Sequence, residues 1–284
     1  MPKGIKTKLV RFKSFLFENK SISQTIAKNT LWLSFGEVGG RLLRVIIIFY
    51  AARVLGAAGW GTLSYMTSLA AIFTVFSDIG LSGVLIREAA KDAEKKNTYF
   101  STSFSLKAIL ILVSFLFIVF GSEHITGIPL TPALIYATGG LFVFDSLRRF
   151  GTSLFRAEER MEIEAIINII TQLIIVIAGF VVLSINPSPE SLAMAYAIGS
   201  GIGLAGTIHF LRKDIKKIFS HFDRKLIMPI INAAWPMTLA SIFGILLVNI
   251  DTVMIGWFRN AAQVGFYSAA QKPIAFFYLL PAFI

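Results

Sequence analysis

Eight stretches of this chain are each apolar for about twenty residues, and that pattern fixes the class of fold before anything else is read. A helix rising 1.5 Å per residue needs about twenty residues to cross roughly 30 Å of hydrocarbon. In lipid every backbone N–H and C=O must be satisfied within the segment, so such runs are helical. The spans fall near 29–52, 61–85, 101–120, 132–150, 163–185, 191–211, 231–255 and 265–284. Only 15% of the 284 residues are charged, against about 25% in soluble domains. The sequence predicts an all-α polytopic membrane protein of about eight transmembrane helices.

The formal charge of +11 would suit a nucleic-acid binder, but the basic residues lie in short segments between apolar runs. Loop 86–100 holds Arg87, Lys91, Lys95 and Lys96, whereas 121–131 holds none. Residues 148–162 hold four arginines and 212–229 holds six basic residues; 186–190 holds none and 256–264 only Arg259. Basic loops alternate with neutral ones, the signature of a multi-pass protein of the cytoplasmic membrane with its N-terminus inside. Nucleic acid is therefore not expected as a partner, and membrane lipids are. Residues 1–28 form a basic cytoplasmic segment in which Leu9, Phe12, Phe15 and Leu16 recur at helical spacing. That suits a short helix on an anionic leaflet, and a disordered tail that only sets orientation fits equally well.

Within the first span, Phe35–Phe49 reads FGEVGGRLLRVIIIF. Glu37, Arg41 and Arg44 stand at i, i+4 and i+7 and share one helix face. A charge near the bilayer centre costs about 2.5–3.5 kcal/mol on insertion scales, so this face is expected to look into protein or water. One carboxylate cannot neutralise two guanidinium groups, which predicts a net-positive cavity. Glu37 is expected to orient Arg41, and Gly36 and Gly40 to let a second backbone approach.

The sequence repeats itself at an offset of 204 residues. Gly56–Ser64 (GAAGWGTLS) aligns with Asn260–Ser268 (NAAQVGFYS), with four of nine identical. Six spans separate the copies, and an even number gives both the same orientation, as in a parallel repeat. The expected organisation is a basic segment 1–28, a six-helix lobe 29–211, a basic linker 212–229, and the first hairpin of a second lobe over 230–284. A plan of two equal lobes implies that the sequence stops two spans into the second.

Ala52-Arg53-Val54-Leu55-Gly56, followed by Gly59 and Gly61, resembles the ARxLGxxxxG turn of polysaccharide-biosynthesis flippases of the multidrug/oligosaccharidyl-lipid/polysaccharide exporter superfamily. Ser77-Asp78-Ile79-Gly80-Leu81 and Ile86-Arg87-Glu88 look like that family's SDxGL and VRE segments. Asp251–Gly256 and Gly265–Ala270 resemble its seventh and eighth helices. The resemblance implies alternating-access export of an isoprenoid-diphosphate-linked oligosaccharide for surface polysaccharide synthesis. Other polysaccharide-assembly membrane proteins are candidate partners. Independently of the family, an anionic diphosphate wants fork-shaped cationic donors in a hydrated cavity, which Arg41 and Arg44 would supply.

Asp251, beside Asn249, is an acid deep in the seventh span. The resemblance implies coupling to a Na⁺ or proton gradient or to the membrane potential; pairing with an arginine of the first span is the alternative. Asp78, ahead of Gly80 and Gly83, is expected to cap or break its helix near a cytoplasmic gate, and Arg53 to serve the turn it sits in. Asp145 should pair locally with Arg148 and Arg149. Lys107 could snorkel or face the cavity. Gly201–Gly206 matches GxGxxG but follows no strand, so it reads as a small-residue helix contact through Gly199 and Gly203. No hydrolase, nucleotide or metal signature is present, and no cofactor or enzymatic activity is expected. A multidrug or organic-cation exporter of the same superfamily is disfavoured by the cationic face. A membrane-embedded glycosyltransferase or polymerase is disfavoured by the short loops.

Overall fold

The computed structural model describes residues 18–19, 21–92, 94–215 and 221–277. Most of the basic N-terminal segment, part of the 212–229 linker and the end of the eighth span lie outside the described residues. Among the described residues every regular element is helical and there is no strand.

Helix α1, Ile22–Asp78, is 57 residues long, too long to be one crossing. At Gly56 the backbone leaves helical geometry (φ 66°, ψ 179°), which divides α1 into two arms. That combination of angles is open essentially to glycine alone. A Cβ at Gly56 would meet nothing within 4 Å, so the demand there is conformational and not steric. The arms correspond to the first two spans. The second ends early: Ile79 (φ 37°) and Gly80 (φ 73°) turn the chain into α2, Leu81–Lys91. The expected span 61–85 is thus broken just after Asp78, which occupies the terminal position.

Helix α3 covers Lys96–Leu116 and runs on through a π turn at Phe117–Gly121. Helix α4 is Pro132–Ala157, opened by Thr131, whose side chain accepts from the Leu134 N–H, with Pro132 at the first turn, where a missing N–H costs nothing. Helices α5 (Met161–Ile185), α6 (Pro189–Ile215), α7 (Ile227–Phe258) and α8 (Ala261–Phe277) follow. Among the described residues five helices are long and apolar enough to cross a membrane. Helix α4 is not among them, although its 26 residues would reach about 39 Å. Its charges turn inward.

Small residues set the packing. A Cβ at Gly36 would lie 2.8 Å from the Ala165 Cα, so the first arm of α1 rests on α5 backbone to backbone. Gly199 packs against Ile175, and Gly203 against Thr171 and Arg148, which joins α6 to α5 and α4. The second arm of α1 crosses α8 in a reciprocal contact. A Cβ at Gly61 would overlap the Ala261 carbonyl, and one at Gly265 would overlap the Ala57 carbonyl. Gly61 and Gly265, like Ala57 and Ala261, are equivalent positions of the repeat.

Buried residues gather into two principal clusters. One, including Ile47, Trp60, Tyr65, Leu134, Leu192 and Val253, joins α1, α4, α6, α7 and α8. The other, including Leu81, Phe100, Phe150, Leu154 and Ile230, joins α2, α3, α4 and α7. Large apolar side chains such as Leu112, Ile177, Phe243 and Leu247 are exposed on the outer surface, the disposition lipid favours. The multi-pass membrane class read from the sequence stands.

Candidate functional site

A cavity of about 720 Å³ opens between α1, α2, α3, α4, α5 and α7. Among the described residues, six cationic side chains line it, against three carboxylates. The cations are Arg41 and Arg44 on α1, Lys107 on α3, and Arg148, Arg149 and Arg156 on α4; the acids are Glu37, Asp78 and Glu164. Thr74, Ser146, Thr152, Ser153, Asn168 and Ser241 add hydroxyl and amide groups. The chain thus surrounds a polar, cation-rich space with apolar helices.

Helical spacing places the two arginines of α1 there as expected, one turn apart. Arg41 meets Glu37 at 3.7 Å, and both side chains are about half exposed (47% and 50%). That is a loose pair, worth little in a wet environment. Arg44 has no carboxylate partner among the described residues. Its Nε donates instead to Gln172 Oε1 at 3.2 Å, which leaves the outer nitrogens of the fork uncommitted to acid. Helix α5 is fixed beside it by Asn168, whose Nδ2 donates to the Gly36 carbonyl at 3.0 Å.

On the facing wall, Asp145 sits behind two arginines. Arg148 Nη2 and Arg149 Nε each donate to it at 2.6 Å, the i+3 and i+4 pairs that the sequence suggested. Arg148 is 6% exposed, and its Nε is buried without a hydrogen-bond partner. Arg156 forms a two-pronged bond with Glu164, both distances 2.6 Å. Lys107 faces inward and binds Asp78 at 2.6 Å, and Asp78 also accepts from Ser82 Oγ at 2.7 Å.

Other sequence candidates lie elsewhere. Arg53 is exposed and is not in the cavity lining. Asp251 and Asn249 are also outside it. The Asp251 carboxylate accepts from Tyr267 Oη of α8 at 2.7 Å, and Asn249 Nδ2 donates to the Ile245 carbonyl. The side chain of Asp251 does not meet an arginine of α1. Conversely, sequence reasoning did not single out Gln172, Arg156 or Glu164. The partners of Gln172 and Lys107 are 128 and 29 residues away, and no local periodicity connects them.

A family model described as polysaccharide biosynthesis protein matches residues 26–279. The chain belongs to that family. Among curated relatives, it is 25% identical over 250 residues to a probable low-salt glycan biosynthesis flippase, Agl15, of Haloferax volcanii, covering 88% of this chain and 52% of that protein. It is 26% identical over 277 residues to a putative O-antigen transporter of Shigella flexneri, covering 92% of this chain and 65% of that one. The chain therefore spans about half to two thirds of the length of these relatives. In fold it resembles the lipid II flippase MurJ in an inward closed conformation, with a TM-score of 0.61 at 19% identity over 89% of this chain and 55% of that structure. Family and fold agree with the resemblance carried by the sequence motifs.

Proposed function

We propose that this chain forms the head-group chamber of an alternating-access flippase, which moves an isoprenoid-diphosphate-linked oligosaccharide across the cytoplasmic membrane. One observation carries the reading: Arg44, near the middle of an apolar run, faces a cavity of about 720 Å³ with an amide and, among the described residues, no carboxylate as its partner. A guanidinium held there needs an anion, and a diphosphate suits its fork. Arg41, whose tie to Glu37 is loose, is the second donor. The names of the relatives, a glycan biosynthesis flippase and an O-antigen transporter, support the same substrate class.

In this reading the N-terminus and the basic loops are cytoplasmic, as the alternation of charge supports. Residues 29–211 move as one lobe against 230–284, while the lipid tail stays in the bilayer. An ion gradient or the membrane potential drives the cycle, with Asp251 the candidate coupling acid. An organic cation would find more like charge than unlike in this cavity.

The test is flipping of a fluorescent isoprenoid-diphosphate-linked oligosaccharide in proteoliposomes carrying the full chain. Arg41→Ala and Arg44→Ala should each abolish transport while insertion is retained. Normal flipping by both variants would defeat the proposal.

A further inference from the structure

One carboxylate ties three helices together beside the cavity. Asp78, the last residue of α1, accepts from Lys107 of α3 at 2.6 Å and from Ser82 of α2 at 2.7 Å, both on Oδ1. Directly after it, Ile79 and Gly80 take positive φ and turn the chain. A Cβ on Gly80 would lie 2.6 Å from the Ala234 carbonyl, so the backbone of this turn rests on α7. Two residues further, α7 contains Pro236, which removes an intrahelical N–H and weakens the helix there. The turn between α1 and α2 therefore meets α7 at its own weak point.

Asp78, Gly80, Ser82 and Lys107 all line the same cavity as Arg41 and Arg44. Lys107 is 3% exposed, and its ammonium is bound to Asp78. An ammonium on a four-carbon stem can be redirected more easily than a guanidinium locked in a fork. A diphosphate carries more negative charge than one carboxylate and competes strongly for a cation where the dielectric is low.

We propose that Asp78 and Lys107 form a substrate-released latch: a diphosphate entering the cavity takes the Lys107 ammonium from Asp78 and frees the Ile79–Gly80 turn from α7. This rests on the head-group reading above and adds a third cation and a means of sensing occupancy. Binding and turn release are then coupled, and the coupling is reciprocal. Asp78 restrains the turn and also weakens anion binding by holding Lys107.

That reciprocity gives effects of opposite sign. In the full chain, titration calorimetry would measure inorganic pyrophosphate and, separately, a short isoprenyl diphosphate. Asp78→Asn should tighten binding by about tenfold and Lys107→Gln should weaken it by about tenfold, within the usual range of such couplings. The sequence has no cysteine, so Val84→Cys on α2, a position that is buried and outside the cavity lining, reports the turn through its labelling by a water-soluble maleimide. Labelling should rise with pyrophosphate in the parent protein, and should start high and stay high in both variants.

Opposite shifts with either compound support the latch, and tighter binding of the isoprenyl compound identifies a lipid as the source. Shifts of the same sign, or none, overturn the latch even if Arg44→Ala abolishes binding, a result that would leave the head-group reading intact. Failure of the parent protein to bind either diphosphate would overturn both. If neither variant folds, the pair is a structural staple that substrate cannot break, and the latch is wrong.

Discussion

Ser64 and Ser268 are 204 residues apart in sequence, and their hydroxyl oxygens are 3.1 Å apart in the structure. That separation is the period of the internal repeat. Each serine is the counterpart of the other, so their hydrogen bond lies where the two copies meet on equal terms. The reciprocal contacts of Gly61 with Ala261 and of Gly265 with Ala57 flank it. Equivalent positions of the repeat thus meet face to face across the α1–α8 crossing.

Joining the two serines covalently should immobilise this crossing. Ser64→Cys with Ser268→Cys is expected to form a disulfide under mild oxidation, seen as a reducible link between fragments after cleavage in the 212–229 loop. If the α1–α8 crossing separates during the cycle, the oxidised protein will not flip its substrate, and reduction will restore activity. Full activity of the oxidised form would show that the crossing stays closed throughout.

Two glycines of one helix should fail for different reasons. Gly61→Ala places a methyl group into the Ala261 carbonyl, and the resulting overpacking is expected to cost about 1–3 kcal/mol and to separate α1 from α8. Gly56→Ala has free space around it but must hold φ 66° with ψ 179°, at a cost of about 1–3 kcal/mol in backbone strain. Thermal unfolding should register both. Cysteine cross-linking at positions 64 and 268 should be impaired by Gly61→Ala and retained in Gly56→Ala.

Arg44 should not tolerate lysine. Its Nε donates to Gln172, and lysine has no equivalent nitrogen partway along its stem. Arg44→Lys keeps the charge and loses this anchor together with the planar fork. Affinity for pyrophosphate is expected to fall by roughly 10- to 100-fold, the scale of one hydrogen bond to a charged group. Gln172→Leu, which removes the anchor alone, should produce a smaller fall. Equal binding by Arg44→Lys and the parent would remove Gln172 from the site.

Asp145 should matter first for folding. It holds Arg148 and Arg149 at 2.6 Å each, and Asp145→Asn leaves a nearly buried guanidinium without its counter-charge. Breaking such a pair from one side costs about 3–5 kcal/mol. Glu88→Gln is the control, because Glu88 pairs with two largely exposed cations, Arg87 and Lys91, and should change stability by less than about 1 kcal/mol. Differential scanning fluorimetry of the two variants would separate the cases.

What the sequence made legible is what repeats locally or at a fixed period. The faces bearing Glu37, Arg41 and Arg44, and Asp145 with Arg148 and Arg149, follow from three- and four-residue spacing. The eight apolar runs account for the helices, and the repeat marks Gly61 with Gly265 and Ser64 with Ser268 as equivalent positions, although that these meet across the α1–α8 crossing is visible only in the fold. The bond from Lys107 to Asp78 and the anchor from Gln172 to Arg44 join side chains on separate helices, and no spacing rule reaches across them. Asp251 was legible as an acid in an apolar run, but its contact with Tyr267 depends on how α7 lies against α8.

Where the second arm of α1 touches α8, glycine faces carbonyl on both sides, so at these two points backbone meets backbone directly. At those two points there is no rotamer to unlock, and the Ser64–Ser268 bond lies on the same crossing. Such a contact suits a bearing, on which one rod would roll or tilt against its twin about the shared hydroxyl bond.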